Sequence, residues 1–194
     1  MVGLRKKKID DRQRELRERL WPEVTESDLW VRLNSKGDYA IGFATLPRTM
    51  PLMLAIMDDM SKTTPVSSTY LELFCRGFDD CLIVLNKPRE MAFHAGFTGQ
   101  RAERTWKDRL KILSDLGFIR IKEGPSGPMS YALIVNPYHV IKAQYGKHPG
   151  ITADKYNALL ARVSEIGAKD LDDPIVTPET ETDKTPPKKK AKGK

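Results

Sequence analysis

The sequence has few residues that bind metals or form disulfides. It contains two cysteines and three histidines among 194 residues, and Cys75 and Cys81 form neither a C-x-x-C pair nor a Cys/His pattern. A disulfide framework and a structural zinc site are therefore not expected. We expect both cysteines to be small buried side chains in a reducing compartment. His94 is expected to be a packed or surface histidine, since no histidine has metal-ligand spacing.

Long hydrophobic runs are also absent from the sequence. No apolar stretch approaches the roughly 18 residues of a membrane-spanning helix, so no transmembrane helix is expected, and a membrane is not the expected partner. The first 20 residues are charged and lack the apolar segment of a secretory signal.

Motifs of catalysis and of cofactor binding are absent as well. No nucleophile has a credible base, and "GPSGP" lacks the pattern of a phosphate-binding loop. We therefore expect no enzyme activity, no cofactor and no small-molecule ligand.

Positive charge is what the chain has in excess. Its 33 lysines and arginines outnumber its 26 acids, which gives a formal net charge of +7 and a pI of about 9.4. Such a balance favours a polyanionic partner, first nucleic acid and second an anionic membrane surface.

The two ends of the chain differ in composition from its centre. Residues 1–22 are mostly charged and favour a basic helical arm. Residues 23–63 predict a β-hairpin around "NSKG", followed by a helix with an apolar stripe that includes Ile56 and Met60. Residues 169–194 combine four prolines with many charges and a Lys-rich end, which predicts a disordered tail.

The centre of the chain predicts a regular succession of short elements. Thr64 and Pro65 suit the start of a helix over about 65–76, and "CLIVL" reads as a strand. Asn86 can cap a short helix that Gly96 ends, and a longer helix follows over about 99–116. Two strands, "FIRIKEG" and "MSYALIV", are then joined by "PSGP". The extension 137–168 predicts one helix over about 152–166, with Tyr156, Leu159, Leu160 and Val163 facing inward.

This order of elements over 64–136 resembles the winged helix-turn-helix superfamily of DNA-binding proteins. "REMAFHAGF", "TGQ" and "RAERTWKDRLKILSDLGFI" are similar to its second helix, turn and recognition helix, and "RIKEGPSGPMSYALI" is similar to its wing. The resemblance covers about 70 residues. It implies an α+β fold with a winged helix-turn-helix core, to which this sequence adds the N-terminal hairpin, flanking helices and the tail.

The periodicity of the longer helix agrees with such a role. Ala102, Trp106, Leu110 and Leu113 fall on one face of it, whereas Arg101, Arg104 and Lys111 fall on the opposite face. Arg109 lies near the apolar rim, where its stem can cover core surface. The outer face also carries Asp108 and Asp115, so its first half is the more cationic.

Residues that would contact DNA follow from the helix-turn-helix geometry, in which the start of the second helix meets base edges. Arginine can pair with guanine and glutamine with adenine, and a helix N-terminus can bind phosphate. The predicted readers are Gln100, Arg101, Arg104 and Thr105; the predicted phosphate contacts are Thr98, Gly99, Lys107 and Lys111; the predicted wing contacts are Lys122 and Ser126.

The implied function is binding of double-stranded DNA by a cytoplasmic, nucleoid-associated protein. The resemblance points to a transcription regulator, or to a replication or partition factor of a bacterial plasmid or mobile element. A homodimer is a further expectation, with residues 1–20 and 152–166 as candidate contacts. One alternative stays open: a winged-helix module that binds other proteins, in which the charged helix is an ordinary solvated surface with pairs such as Arg104–Asp108 and Lys111–Asp115.

Overall fold

The computed structural model describes residues 15–16, 19–20, 22–23, 44–77 and 81–171. The chain divides into two compact units, Met1–Thr45 and Leu46–Lys194. In the first unit the described residues 15, 16, 19 and 20 are helical, and Leu16 and Leu20 are exposed. The predicted N-terminal hairpin and the predicted tail beyond residue 171 lie outside the described residues.

The second unit is a mixed α+β structure, which confirms that part of the predicted fold class. None of its described helices is long and apolar enough to span a bilayer. In chain order its elements are α1 (Met50–Met60), α2 (Ser67–Arg76), β1 (Leu82–Val84), α3 (Pro88–His94), α4 (Ala102–Asp115), β2 (Ile119–Gly124), β3 (Gly127–Ile134), α5 (Pro137–Gln144) and α6 (Ala153–Ile166).

Helix α1 supplies the methionine-rich part of the core. Pro51 lies in its first turn, where a missing N–H costs nothing. Met53, Ile56 and Met57 are completely buried. The predicted apolar stripe is therefore confirmed, and its methionines pack in the core, where an unbranched side chain can fill irregular space.

Helix α2 begins later than predicted, and a different residue caps it. Thr64 makes no cap, since the helix starts at Ser67. Instead Oδ1 of Asp58, on α1, accepts hydrogen bonds from the N–H groups of Val66 (2.7 Å) and Ser67 (2.8 Å). The end of one helix thus satisfies the free N–H groups at the start of the next.

The three strands form one antiparallel sheet in the order β1-β3-β2. Ile83 on β1 and Ile121 on β2 are both paired with Ala132 on β3. Ile83 and Ala132 are buried, so this row of the sheet faces the core.

The hairpin between β2 and β3 is tighter than the four-residue turn predicted over "PSGP". Gly124 pairs with Gly127, which leaves Pro125 and Ser126 as the only turn residues. A Cβ on Gly124 would lie 2.4 Å from the Tyr131 ring, so glycine allows the two strands to approach here. Ser130 Oγ accepts a hydrogen bond from Ser126 N–H (3.0 Å) and donates one to Gly127 C=O (2.8 Å), which closes the turn.

The C-terminal extension contains two helices where the sequence predicted one. Helix α5 starts at Pro137, and the side chain of Asn136 caps it by accepting from Tyr138 N–H (3.0 Å). The Tyr138 hydroxyl shares a hydrogen bond with Thr49 Oγ1, just before α1. An Asn-Pro pair that begins a helix is a recognisable signal, and the sequence prediction overlooked it.

Helix α6 matches its predicted range, but its inward face is narrower than expected. Leu159 and Val163 are buried and Tyr156 is half-buried, whereas Leu160 is 39% exposed, so its prediction as an inward residue is wrong. The packed unit also extends past residue 169, where the tail was predicted to start. Leu171 is buried, and its carbonyl accepts a hydrogen bond from Lys142 Nζ (2.5 Å).

Candidate nucleic-acid interface

A short turn sets the start of α4 against α3. Gly96 and Gly99 both have positive φ, +89° and +82°, which glycine adopts at no steric cost. Helix α4 begins at Ala102, so the predicted start near residue 99 is wrong. Thr98, Gly99, Gln100 and Arg101 consequently lie in the turn, where all four are exposed.

The inner face of α4 fixes which residues point outward. Trp106, Leu110 and Leu113 are buried at 1% exposure or less, as their spacing predicted. Arg109 lies at the rim, with its guanidinium carbon 5.8 Å from the centre of the Phe97 ring. The side chain therefore packs over an aromatic residue of the α3–α4 turn, a cation–π contact that holds the turn against the helix.

Two arginines at the start of α4 are available to a partner. Arg101 and Arg104 are exposed, and within the described part of the chain neither forms an ion pair. Lys111, also exposed, pairs only loosely with Asp108, at 3.7 Å. The available positive charge on this helix is therefore concentrated in its first turn and the residue before it.

Lys107 differs from these arginines, because it is already engaged. Its Nζ donates to Glu103 Oε1 at 2.6 Å, one turn earlier on the helix, and both side chains are only about two-fifths exposed. The pairs expected from the sequence, Arg104–Asp108 and Lys111–Asp115, are not the ones that form. Lys107–Glu103 and Lys111–Asp108 form instead.

Glu103 also changes the electrostatics of the helix start. It lies in the first turn of α4, where its carboxylate interacts favourably with the helix dipole. A phosphate at this helix N-terminus would meet that carboxylate. Thr98 and Gly99, predicted phosphate contacts, thus precede a helix turn that carries a group of the same charge as their expected ligand. Thr105, a predicted reader, is half-buried.

The predicted wing residues lie on a separate element. Lys122 is exposed on β2, and Ser126 is exposed in the turn, where its backbone N–H is already used by Ser130. Arg120 is exposed on β2 two residues before Lys122 and was not among the predicted wing contacts. Strand alternation is the signal for it, because residues two apart in a strand share a face.

Arg76, on α2, links that helix to α3, the helix before the α3–α4 turn. Its Nε donates to Glu72 Oε1, and its Nη2 contacts Glu90 Oε1 (3.3 Å) and His94 Nδ1 (2.7 Å). Because an arginine can only donate, His94 Nδ1 acts as the acceptor. These groups border an open groove of about 690 Å³ between the two helices.

Glu72 is the most buried member of this network. Its other carboxylate oxygen, Oε2, is buried and has no hydrogen-bond partner among the described residues. Burial raises the pKa of Glu72, and the hydrogen bond from Arg76 opposes that rise. Glu90 is exposed, and the hydrogen bond from Arg76 lowers its pKa. Arg76 thus joins one carboxylate that resists ionisation to one that ionises readily.

The cysteines do not lie where they were expected. Cys75 is exposed at the edge of the groove, and Cys81 is exposed just before β1, so the prediction that both are buried is wrong. Burial of the Cys75 sulfur, although partial, raises the pKa of its thiol. Among the described residues no cluster of histidine, cysteine and acidic side chains is arranged to hold a metal ion.

Comparison with protein-family models, with curated proteins and with solved structures gives no match for this chain. Only the residues and the geometry of the candidate interface therefore indicate what this protein does.

Proposed function

We propose that this protein binds double-stranded DNA through a winged helix-turn-helix, as a transcription regulator or as a replication or partition factor of a plasmid or mobile element. The observation that carries the proposal is a pair of exposed arginines at the start of α4, Arg101 and Arg104, which form no ion pair with any described residue. Placed in a major groove, each can donate two hydrogen bonds to one guanine.

The arrangement around these arginines supports the same proposal. The order α2, β1, α3, α4, β2, β3 and the sheet order β1-β3-β2 agree with a winged helix-turn-helix. In that geometry α4 is the recognition helix, α3 precedes it, and the β2–β3 hairpin is the wing. The role of α3 is to orient the turn, and Arg76 ties it to α2.

The proposed contacts divide into two kinds. Arg101, Arg104 and Gln100 read bases, whereas Lys111 and Lys122 attract phosphate without regard to sequence. Lys107 contributes less than its charge suggests, because Glu103 already neutralises it. A homodimer on a two-fold site belongs to the proposal, and the exposed Leu160 on α6 is a candidate contact.

The test is selection of random duplex oligonucleotides by the purified full-length chain, followed by competition binding. We expect one enriched motif. Arg101→Ala combined with Arg104→Ala should reduce the preference for that motif over unrelated DNA by at least about 30-fold, since each of the two arginine–guanine pairs removed contributes about 1–3 kcal/mol of discrimination.

A matched control separates reading from general charge. Lys147→Ala combined with Lys169→Ala removes the same charge from two exposed positions, one in the α5–α6 connection and one after α6, and should leave the preference unchanged. If the Arg101/Arg104 double variant keeps the full preference, α4 is not the recognition helix.

A protein-binding module is the second candidate function, and the acidic residues of α4 favour it. Glu103, Asp108 and Asp115 offset much of the cationic charge of the helix. Salt dependence separates the two candidates, because the logarithm of DNA affinity falls with a slope of about −0.9 per phosphate contacted. Duplex binding that barely responds to salt would favour the protein-binding module.

A further inference from the structure

The outward face of the sheet has an unusual composition. The strand register places its side chains in two rows across β1, β3 and β2. The first row is Leu82, Leu133 and Arg120, and the second row is Val84, Tyr131 and Lys122. We call these six residues the outer sheet face. Each row has an apolar residue on β1, an apolar or aromatic residue on β3 and a cation on β2.

Three apolar side chains of this face are exposed. Leu82, Val84 and Leu133 are 45%, 49% and 39% exposed. These residues lie on neighbouring strands, and Leu82 and Leu133 are directly paired, so they form one apolar patch. A contiguous exposed patch of this kind marks an interaction surface more often than isolated exposed residues do.

The charge beside the patch has one sign. Arg120 and Lys122 are exposed on β2, and neither forms an ion pair within the described part of the chain. None of the six residues is acidic. An occupant that covers the apolar residues would therefore gain further from carboxylates placed over β2.

We propose that the outer sheet face binds an acidic amphipathic helix of another protein. Such a helix, running along the strands, would lay its apolar stripe on β1 and β3. The distance from β1 to β2 is two strand spacings, about 10 Å, which is close to the diameter of a helix with its side chains. Acidic residues on one flank of the helix would then meet Arg120 and Lys122.

Charge disfavours a second copy of this chain as the occupant. Two outer sheet faces packed about a two-fold axis along the strands would place β2 over β1, and so set the cations against leucine and valine. An axis across the strands would place β2 over β2, and so set the cations against each other. Both arrangements desolvate charge without pairing it.

Three synthetic helical peptides would test the proposal against the full-length chain. The first has a leucine stripe flanked by glutamates, the second has lysines in place of the glutamates, and the third has the first composition in scrambled order. We expect the acidic amphipathic peptide to bind about tenfold more tightly than either of the others, by fluorescence anisotropy. Methyl NMR should show its largest shifts at Leu82, Val84 and Leu133.

Variants of the outer sheet face complete the test. Arg120→Glu combined with Lys122→Glu should reverse the preference between the acidic and the basic peptide. Leu133 lies outside the core and threonine suits a strand, so Leu133→Thr should weaken binding of the acidic peptide without unfolding the chain. Circular dichroism checks that each variant is folded.

Equal binding of the three peptides, or a preference unchanged by the charge reversal, would overturn the proposal. So would shifts of the three methyl-bearing residues by duplex DNA but by no peptide, or dimerisation that Leu133→Thr abolishes. Lys122 is also a proposed phosphate contact, but the peptide titrations and the Leu133→Thr variant contain no DNA and leave Arg101 and Arg104 unchanged, so they can fail or succeed independently of the proposed DNA binding.

Discussion

At the scale of single residues, ion pairing distinguishes side chains that look alike in the sequence. The five cations between residues 101 and 111 have similar spacing, yet Lys107 is held by Glu103 whereas Arg101 and Arg104 pair with none of the residues that the structure describes. Sequence periodicity correctly predicted which face each side chain occupies. It could not predict the pairs, because Asp108 lies within reach of both Arg104 and Lys111, Lys111 can also reach Asp115, and the choice depends on rotamers.

Glu103 offers a direct way to test that distinction. Glu103→Gln removes a negative charge from the helix start and releases Lys107, so duplex affinity should rise by about two- to tenfold and the salt slope should steepen by up to about 0.9. A salt titration of the variant measures both. Asp115→Asn, at the other end of α4, is the control and should change affinity less. Equal effects would mean that only net charge matters.

Glu72 predicts a pH dependence of stability. Burial raises its pKa in the folded chain above the ordinary 4.5, so between these two values the folded state binds more protons than the unfolded state. Stability from this group is therefore fully present below about pH 4.5 and is lost as the pH rises through the folded value.

Glu72→Gln keeps an acceptor for Arg76 but cannot ionise. We expect the variant to unfold at a similar denaturant midpoint to the wild type near pH 4 and at a higher midpoint near pH 7. Cys75, Glu90 and His94 are unchanged, so the difference between the two proteins isolates Glu72. A difference that does not vary with pH would show that the buried carboxylate has no such effect.

At the scale of elements, local patterns missed α5 but predicted the kind of the other helices and strands better than their ends. The apolar spacing of α1, α4 and α6 and the alternation of β2 and β3 are local signals. The start of α2 is not, because its cap is Asp58, which belongs to the preceding helix and is brought there by the turn between them. Thr64 lies just before the helix in the sequence, and a rule that considers only neighbouring residues selects it as the cap.

That non-local cap predicts unequal effects of two adjacent substitutions. Asp58→Ala leaves two N–H groups of α2 without their acceptor and should lower the free energy of unfolding by about 0.5–2 kcal/mol. Asp59→Ala removes only a partly exposed ion pair with Lys155, which contributes about 0–1 kcal/mol. Urea denaturation of both variants compares them. A larger loss for Asp59→Ala would contradict the capping role.

At the scale of the whole molecule, charge is unevenly distributed along the chain. Residues 184–194 contain six lysines and no acid, whereas residues 172–183 contain five acids and no lysine or arginine. The net charge of +7 therefore hides two opposed segments. The order of charged residues in the sequence shows these two segments directly. No local pattern, by contrast, indicated that Leu171 would pack with the core.

Two C-terminal truncations separate local from total charge. Removing residues 184–194 should weaken binding to every duplex and make the salt slope less negative by up to about 0.9 for each lysine that contacts phosphate, with the motif preference unchanged. Removing 172–194 also deletes the acids, and leaves a net charge of +6. Recovery of affinity in the longer deletion would mean that net charge governs binding; equal loss would mean that the lysines act locally.

Trp106 makes the packing behind α4 optically accessible. It is the only tryptophan between residues 46 and 171, and it is buried on the back of the helix whose front carries Arg101 and Arg104. With Trp21 and Trp30 replaced by phenylalanine, the emission of the chain would come from this one indole. Its wavelength would then report on the packing behind the helix while duplexes of different sequence occupy the front.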